Sequence, residues 1–157
     1  MLGNMRIAME GTILSFHGSF HGRTMATIAT GKKKMQQGFE PIPQGFVQVP
    51  FNDIEAVKAV LSEDVAAILI EPIQGEGGIN EADMEFLKHL RKICDEHKIV
   101  LIFDEIQCGV ARTGRMFAKD LYGIQPDVMT LAKALGAGVP VGAILSNEKV
   151  SSAIDFG

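Results

Sequence analysis

Two apolar stretches decide the fold: residues 65–72 read VAAILIEP, and residues 99–105 read IVLIFDE. Each is apolar on successive positions until an acidic residue ends it, which predicts strands buried on both faces in the middle of a parallel sheet. The residues between them predict a helix with one apolar stripe, the pattern of a helix packed on a sheet. The stripe consists of Phe86, Leu87, Leu90, Ile93 and Cys94. We therefore predict an α/β fold, a mostly parallel sheet flanked by helices.

Shorter apolar runs predict further strands at residues 12–16, 46–49, 127–132 and 141–145. Only eight residues separate the last two runs, too few for a helical crossover, so we expect that pair to be antiparallel.

Helix signals lie between these strands. A short helix is expected over residues 23–30, with Gly31 closing it. Asn52 and Glu55 have the spacing of a capping box for a helix that runs to about Leu61. The charged run 32–34 is interpreted as a solvated loop.

Composition excludes several classes of protein. Of the 157 residues, 46% are hydrophobic and 22% charged, as in globular rather than disordered chains. The net charge of −4 argues against nucleic acid as a partner, and the longest apolar run, 65–70, is far shorter than a membrane span of about 20 residues. Cys94 and Cys108 cannot form a disulfide framework, and two glycines disfavour a metal-binding helix around His17 and His21. We expect a reduced cytoplasmic protein that needs neither a metal nor a membrane.

Polar groups follow three of the predicted strands. Glu71 and Asp104 end the two buried strands, and Lys133 comes just after another. Ligands of open α/β sheets bind beyond the carboxyl ends of the strands, so these groups are candidates for a site. Burial favours the neutral, nucleophilic form of a lysine, which a Schiff base requires. The alternatives stay open: Asp104 as a helix cap or structural ion pair, and Lys133 as a lysine that extends to solvent.

Two further segments have a possible ligand role. Arg23, in the FHGRT sequence of residues 20–24, has the side chain suited to bidentate carboxylate recognition, although an exposed arginine at a helix start fits equally well. The loop of residues 75–78, GEGG, is by itself only a weak signal for phosphate binding.

Four segments together resemble the class III aminotransferases, which are pyridoxal-phosphate enzymes of the aspartate aminotransferase-like fold, fold type I. They occur in the family's order and spacing, so residues 12–157 resemble part of the family's cofactor-binding large domain, whereas we recognise no such motif in residues 1–11. The segments are SFHGSFHGRT (15–24), ILIEPIQGEGG (68–78), LIFDEIQCGVARTGRMFA (101–118) and GIQPDVMTLAKALGAGVPVGAIL (123–145).

The resemblance implies a role for each residue around pyridoxal 5′-phosphate. Lys133 would bind it as a Schiff base and act as the acid and base that moves a proton. Asp104 would pair with the pyridinium nitrogen and keep it protonated. Gln107 would donate to the ring oxygen, and Ile106 and Phe20 would pack on opposite ring faces.

The resemblance also implies a reaction. It would transfer the terminal amino group of N-acetylornithine, or a similar ω-amino donor, to 2-oxoglutarate in arginine biosynthesis. Arg23 would hold a substrate carboxylate, Glu76 would act as the family's switch glutamate, and Glu105 would belong to the cofactor-binding segment. Such enzymes are homodimers. Two alternatives stay open: a non-catalytic fragment, and a lyase or racemase on the same cofactor.

Two features depart from the family's pattern. Ala111 and Ala137 stand where glycine is common, which would cost on the order of 1 kcal/mol at a positive φ. Family members are also more than twice as long, with a phosphate-binding loop before residue 12 and a small domain after residue 157. We therefore expect residues 12–157 to be an incomplete large domain.

Overall fold

A six-stranded sheet organises the computed structural model, which describes residues 11–154. Its strands are β1 (Thr12–Phe16), β2 (Phe46–Val49), β3 (Val65–Ile70), β6 (Val100–Asp104), β7 (Val128–Leu131) and β8 (Ala143–Ser146). Across the sheet the order is β2-β1-β3-β6-β7-β8, and every pairing is parallel except that of β7 with β8. A separate antiparallel pair is formed by β4 (Ile73–Gln74) and β5 (Asn80–Glu81).

The sheet confirms the predicted fold class. The strand β3 lies between β1 and β6, and both faces of β3 and β6 contribute buried side chains to the core. The predicted antiparallel pairing of the last two strands is also confirmed, with Met129 opposite Leu145.

Short helices and one long helix connect the strands. The long helix α4, Met84–His97, buries the five apolar residues that the sequence pattern identified, and Lys98 closes it in a left-handed conformation with φ 59°. The helices are α1 (Met25–Ala29), α2 (Lys33–Gln36), α3 (Ile54–Val60), α4 (Met84–His97), α5 (Lys119–Tyr122) and α6 (Glu148–Ser151). A 3₁₀ turn, Lys133–Gly136, follows β7. No helix within residues 11–154 is both long and apolar enough to cross a membrane.

The core fills the space between the sheet and α4. Phe16 of β1, Phe51 and Phe86 pack edge to face around one another, with ring centroids 5.5 to 6.2 Å apart. This geometry favours the aromatic quadrupoles and adds to the burial of apolar area.

Three local expectations were wrong. Asp53, not Asn52, caps α3, because its carboxylate accepts a hydrogen bond from the backbone N of Ala56 at 2.9 Å. Asn52 instead has a φ of 59° and its side chain bonds the backbone of Glu81 and Asp83.

The other two concern helix ends. Helix α1 begins at Met25 rather than at residue 23, since Thr24 has extended backbone and acts as its cap. The lysine run is exposed as expected, but Lys33 begins the short helix α2 rather than lying in a loop.

Candidate functional site

Asp104, the last residue of β6, forms a buried pair with a histidine from the loop after β1. Nδ1 of His21 lies 2.8 Å from Oδ2 of Asp104, and both side chains are almost wholly buried. The other carboxylate oxygen accepts a hydrogen bond from the backbone N of Ile106 at 3.0 Å. The strands β1 and β6 both flank β3, so their carboxyl ends bring these residues together at one edge of the sheet.

Glu71 adds a second buried carboxylate to this edge. Its oxygens accept hydrogen bonds from the backbone N of Phe20 at 2.7 Å and of Gly75 at 3.4 Å. Burial raises the pKa of Glu71, and the two backbone bonds and the nearby His21 partly oppose that rise. Glu71 thereby ties the loop after β1 to the loop between β4 and β5.

Lys133 lines a cavity of about 430 Å³ beside this carboxylate edge. The side chain of Lys133 makes no ion pair with a carboxylate among residues 11–154. The lining residues are Ile73, Gly75, Ile79, Ile106, Gln107, Cys108, Arg112, Thr113, Lys133 and Ala134. The volume lies in the range of small-molecule sites, roughly 300 to 1,000 Å³.

Lys133 is the amine of this cavity and Cys108 its thiol. Burial raises the pKa of Cys108 to about 12, so the thiol is protonated at neutral pH and is a poor nucleophile. Lys133 is exposed rather than buried as the Schiff-base interpretation expected, and among the lining residues it supplies the primary amine that can react with a carbonyl group.

Left-handed backbone occurs around the cavity at residues other than glycine. Lys133 has a φ of 46° and Ile79 a φ of 58°, and both line it. Val110 and Ala111, with φ 54° and 64°, directly precede Arg112. Such conformations cost of order 1 to 3 kcal/mol each and cluster at functional sites, where the surrounding structure maintains them.

Glu105 lies next to Asp104 but turns away from the cavity. Its carboxylate accepts hydrogen bonds from the backbone N of Ala118 at 2.7 Å and of Lys119 at 2.8 Å. Burial raises the pKa of Glu105, and these two bonds oppose the rise. Both oxygens thus hold the start of α5, and the structure does not bring this side chain into the cavity.

Gln107 and Ile106 do line the cavity together with Lys133. The amide Nε2 of Gln107 is buried and has no hydrogen-bond partner among the described residues. Since an unpartnered buried donor is unfavourable, this atom is suited to an acceptor on a ligand.

Five predicted site residues lie outside the lining of this cavity: Asp104 and Glu105, described above, and Phe20, Arg23 and Glu76. Phe20 is half-buried, and the guanidinium of Arg23 lies 5.7 Å from the centroid of its ring. Arg23 and Glu76 are both exposed. Their predicted contacts with cofactor and substrate therefore stay predictions.

Sequence reasoning missed His21, Arg112 and Thr113. The sequence pattern marks His21 only as a possible metal ligand, although it follows β1, a neighbour of β3 in the sheet, and so lies near the end of β6. Arg112 and Thr113 lay within a recognised segment, but only their cavity contacts distinguish them from surface residues.

The fold and the cavity agree with a match of nearly the whole sequence to a known family. The model of the family described as Aminotransferase class-III matches residues 5–157, and the chain belongs to this family. It is 57% identical over 148 residues to an acetylornithine aminotransferase of Methanocaldococcus jannaschii, covering 94% of this chain and 37% of the relative.

Solved structures agree with this family. An ornithine aminotransferase of Toxoplasma gondii superimposes with a TM-score of 0.89 at 33% identity, over 94% of this chain and 36% of that one. An N-acetylornithine aminotransferase of Stenotrophomonas maltophilia gives a TM-score of 0.74 at 42% identity, over 94% and 35%. The chain thus spans about 37% of the length of the curated relatives that it matches.

Proposed function

We propose that this chain is the central part of the large domain of an aminotransferase that moves the terminal amino group of N-acetylornithine to 2-oxoglutarate. The observation that carries the proposal is Lys133, held at a positive φ on a cavity that it shares with Ile106 and Gln107, next to the Asp104–His21 pair. The choice of donor is supported by relatives named acetylornithine aminotransferase at 50 to 57% identity.

The residues around the cavity fit pyridoxal phosphate. The buried Nε2 of Gln107 needs an acceptor, Ile106 offers an apolar face, and Lys133 offers an amine without a carboxylate partner among the described residues. Lys133, Asp104, Gln107, Ile106 and, by its position in the loop after β1, Phe20 would hold the cofactor. When bound, pyridoxal phosphate supplies a reactive carbonyl carbon and an electron-withdrawing ring.

The chain's own groups would perform the remaining steps. The Nζ of Lys133 would take a proton from the donor carbon that bears the amino group and later return one. The Asp104 carboxylate would hold a proton on the ring nitrogen, and His21 and the Ile106 backbone keep that carboxylate oriented. Gln107 would donate to an acceptor oxygen, and Arg23 and Glu76 would receive substrate charges from the loops beside the site.

We also propose a homodimeric, cytoplasmic enzyme. Large apolar side chains exposed on this chain, such as those of Ile79, Met116 and Ile144, are suited to burial against another part of the protein. The two cysteines are buried and free, as expected in a reducing compartment.

A donor panel tests the function. The full-length protein is incubated with 2-oxoglutarate and either N-acetylornithine, N-succinylornithine, ornithine or 4-aminobutyrate, and glutamate is measured. We expect the highest kcat/KM with N-acetylornithine. The Lys133→Ala variant should produce no glutamate with any of the four donors. Preference for another donor would reassign the substrate, and glutamate production by Lys133→Ala equal to the wild type would contradict the proposal.

A further inference from the structure

Gly75 and Gln107 contact each other on the wall of the Lys133 cavity, which both residues line. A Cβ built on Gly75 would lie 2.8 Å from Cδ and 3.3 Å from Nε2 of Gln107, and closer still to its Oε1. Carbon atoms that pack without strain lie about 3.5 to 4.0 Å apart. The carboxamide of Gln107 therefore occupies space that the side chain of any other residue at position 75 would need.

This contact, rather than the backbone conformation, accounts for a glycine at position 75. Gly75 does not have a positive φ, in contrast to Gly78 with φ 115°, so an alanine can adopt its backbone conformation. Rotation of the Gln107 carboxamide about its last bond would not relieve the overlap, because Cδ itself would be too close to the added Cβ. Alanine at position 75 must therefore displace the whole carboxamide.

Buried carboxylates hold the main chain on both sides of the contact. The backbone N of Gly75 donates to Oε2 of Glu71 at 3.4 Å, and that of Ile106, the neighbour of Gln107, donates to Oδ1 of Asp104 at 3.0 Å. Both carboxylates are almost wholly buried. The flexible side chain of Gln107 is thus the part that moves most easily when position 75 gains a Cβ.

The place of the carboxamide matters because it has a donor to offer to a ligand. The Nε2 atom of Gln107 is buried and has no hydrogen-bond partner in the described part of the chain. Hydrogen bonds from N–H groups require donor–acceptor distances of about 2.7 to 3.2 Å, so a displacement of about 1 Å is enough to break one. A ligand that Gln107 binds therefore depends on the absence of a side chain at Gly75.

We propose that Gly75 is a positioning residue, which leaves room for the carboxamide of Gln107 and so keeps that group where it can bond the cofactor. The inference rests on the proposed function for the identity of the cofactor, whereas the steric contact between the two residues does not. It gives the GEGG loop, residues 75–78, a role through packing against Gln107, distinct from the phosphate contact that its glycines weakly suggest.

A crystal structure of the cofactor-free, full-length Gly75→Ala variant tests the steric step. We expect the carboxamide of Gln107 to lie about 1 Å or more from its place in the wild type. Gly31→Ala is the matched control, because Gly31 also lacks a positive φ and a Cβ there would meet its nearest atom, the O of Ile28, at an ordinary 3.5 Å. It should leave Gln107 in place. An unmoved carboxamide in Gly75→Ala would overturn the inference.

Cofactor binding tests the functional step. Pyridoxal phosphate is titrated, without substrate, into the cofactor-free wild type, Gly75→Ala, Gln107→Ala and the double variant. We expect about tenfold weaker binding in each single variant and no further loss in the double variant, because the Cβ displaces nothing once the carboxamide is absent. Gly31→Ala should bind within about twofold of the wild type. A double variant about tenfold weaker than Gln107→Ala would overturn the inference, and this comparison holds even if Gly75→Ala alone fails to fold.

The visible absorbance spectrum of the bound cofactor is a readout that a loss of stability alone would not change. Gly75→Ala and Gln107→Ala should alter it in the same way, since both remove one donor from the same oxygen, and Gly31→Ala should leave it unchanged. An altered spectrum in Gln107→Ala alone, or wild-type spectra and affinities in both, would overturn this role of Gly75. A wild type that binds pyridoxal phosphate but is inactive on all four donors would instead refute the proposed function and leave these comparisons valid.

Discussion

At the scale of single residues, Asp104 has the environment of a carboxylate held in one orientation. One of its oxygens is paired with Nδ1 of His21, and the other accepts a hydrogen bond from the backbone N of Ile106. The second ring nitrogen of His21, Nε2, is buried without a partner among the described residues. Within residues 11–154, the contact with Asp104 is thus the one hydrogen bond that the side chain of His21 makes.

Asp104→Asn tests the role of that carboxylate. Asparagine keeps the shape of the side chain and removes its charge, so turnover should fall about a hundredfold or more while the cofactor still attaches at Lys133. Steady-state kinetics and the visible absorbance of the loaded protein measure the two effects. Asp120→Asn, at an exposed position, is the control and should behave as the wild type. Wild-type turnover in Asp104→Asn would remove the role proposed for this carboxylate.

Glu71 makes stability depend on pH. Because its pKa is raised in the folded state, folded protein binds the proton more tightly than unfolded protein, and stability falls as pH rises from about the ordinary value of 4.5 through the folded pKa. Glu71→Gln should lack this fall, so its stability relative to the wild type should improve with rising pH. Denaturant unfolding at several pH values above 4 measures the difference. A constant difference across that range would contradict a raised pKa.

At the scale of elements, Glu105 joins the end of β6 to the start of α5. Its two oxygens accept hydrogen bonds from the backbone N of Ala118 and of Lys119. These bonds connect the two ends of the strained segment that carries Arg112. In Glu105→Gln, the side-chain NH2 group would face one of these two backbone N–H groups, and that N–H would lose its acceptor. The substitution should therefore destabilise the protein by about 1 to 3 kcal/mol. Urea unfolding measures the change, with the exposed Glu96→Gln as control at less than about 0.5 kcal/mol. Equal effects of the two substitutions would show that the bonds of Glu105 contribute nothing.

Ala111 departs from the glycine usual in the family, and its φ of 64° confirms that the position is left-handed. Ala111→Gly should therefore stabilise the protein by about 0.5 to 1 kcal/mol. Ala59→Gly, at an exposed position inside α3, should instead destabilise it by about 1 kcal/mol. Thermal unfolding of both variants measures the signs, and a loss of stability in Ala111→Gly would contradict the strain.

At the scale of the whole molecule, the sequence predicted the sheet because its central strands are apolar on both faces. Val65–Ile70 and Val100–Asp104 lie where that pattern placed them, and the eight-residue connection fixed the direction of β8. The predicted cap of α3 was wrong because Asn52 and Asp53 are both good capping residues. The structure decides between them, because the side chain of Asn52 accepts a hydrogen bond from the backbone N of Asp83 and that of Asp53 accepts one from Ala56.

The candidate site was predicted less completely than the fold. Asp104 and Lys133 could be identified because they follow buried strands, whose carboxyl ends meet. His21, Arg112 and Thr113 could not, because their roles depend on how two irregular loops fold over the sheet edge. Local sequence patterns carry little information about such loops, whereas strand and helix patterns are periodic.

The central claim is that Lys133 holds the cofactor, and one measurement tests it most directly. The purified full-length protein is mixed with pyridoxal phosphate, reduced with borohydride, digested and mapped by peptide mass, with Lys119→Arg and Lys133→Arg in parallel. We predict that the label is confined to Lys133, persists in Lys119→Arg and disappears in Lys133→Arg. Label spread over several lysines, or retained in Lys133→Arg, would contradict the account.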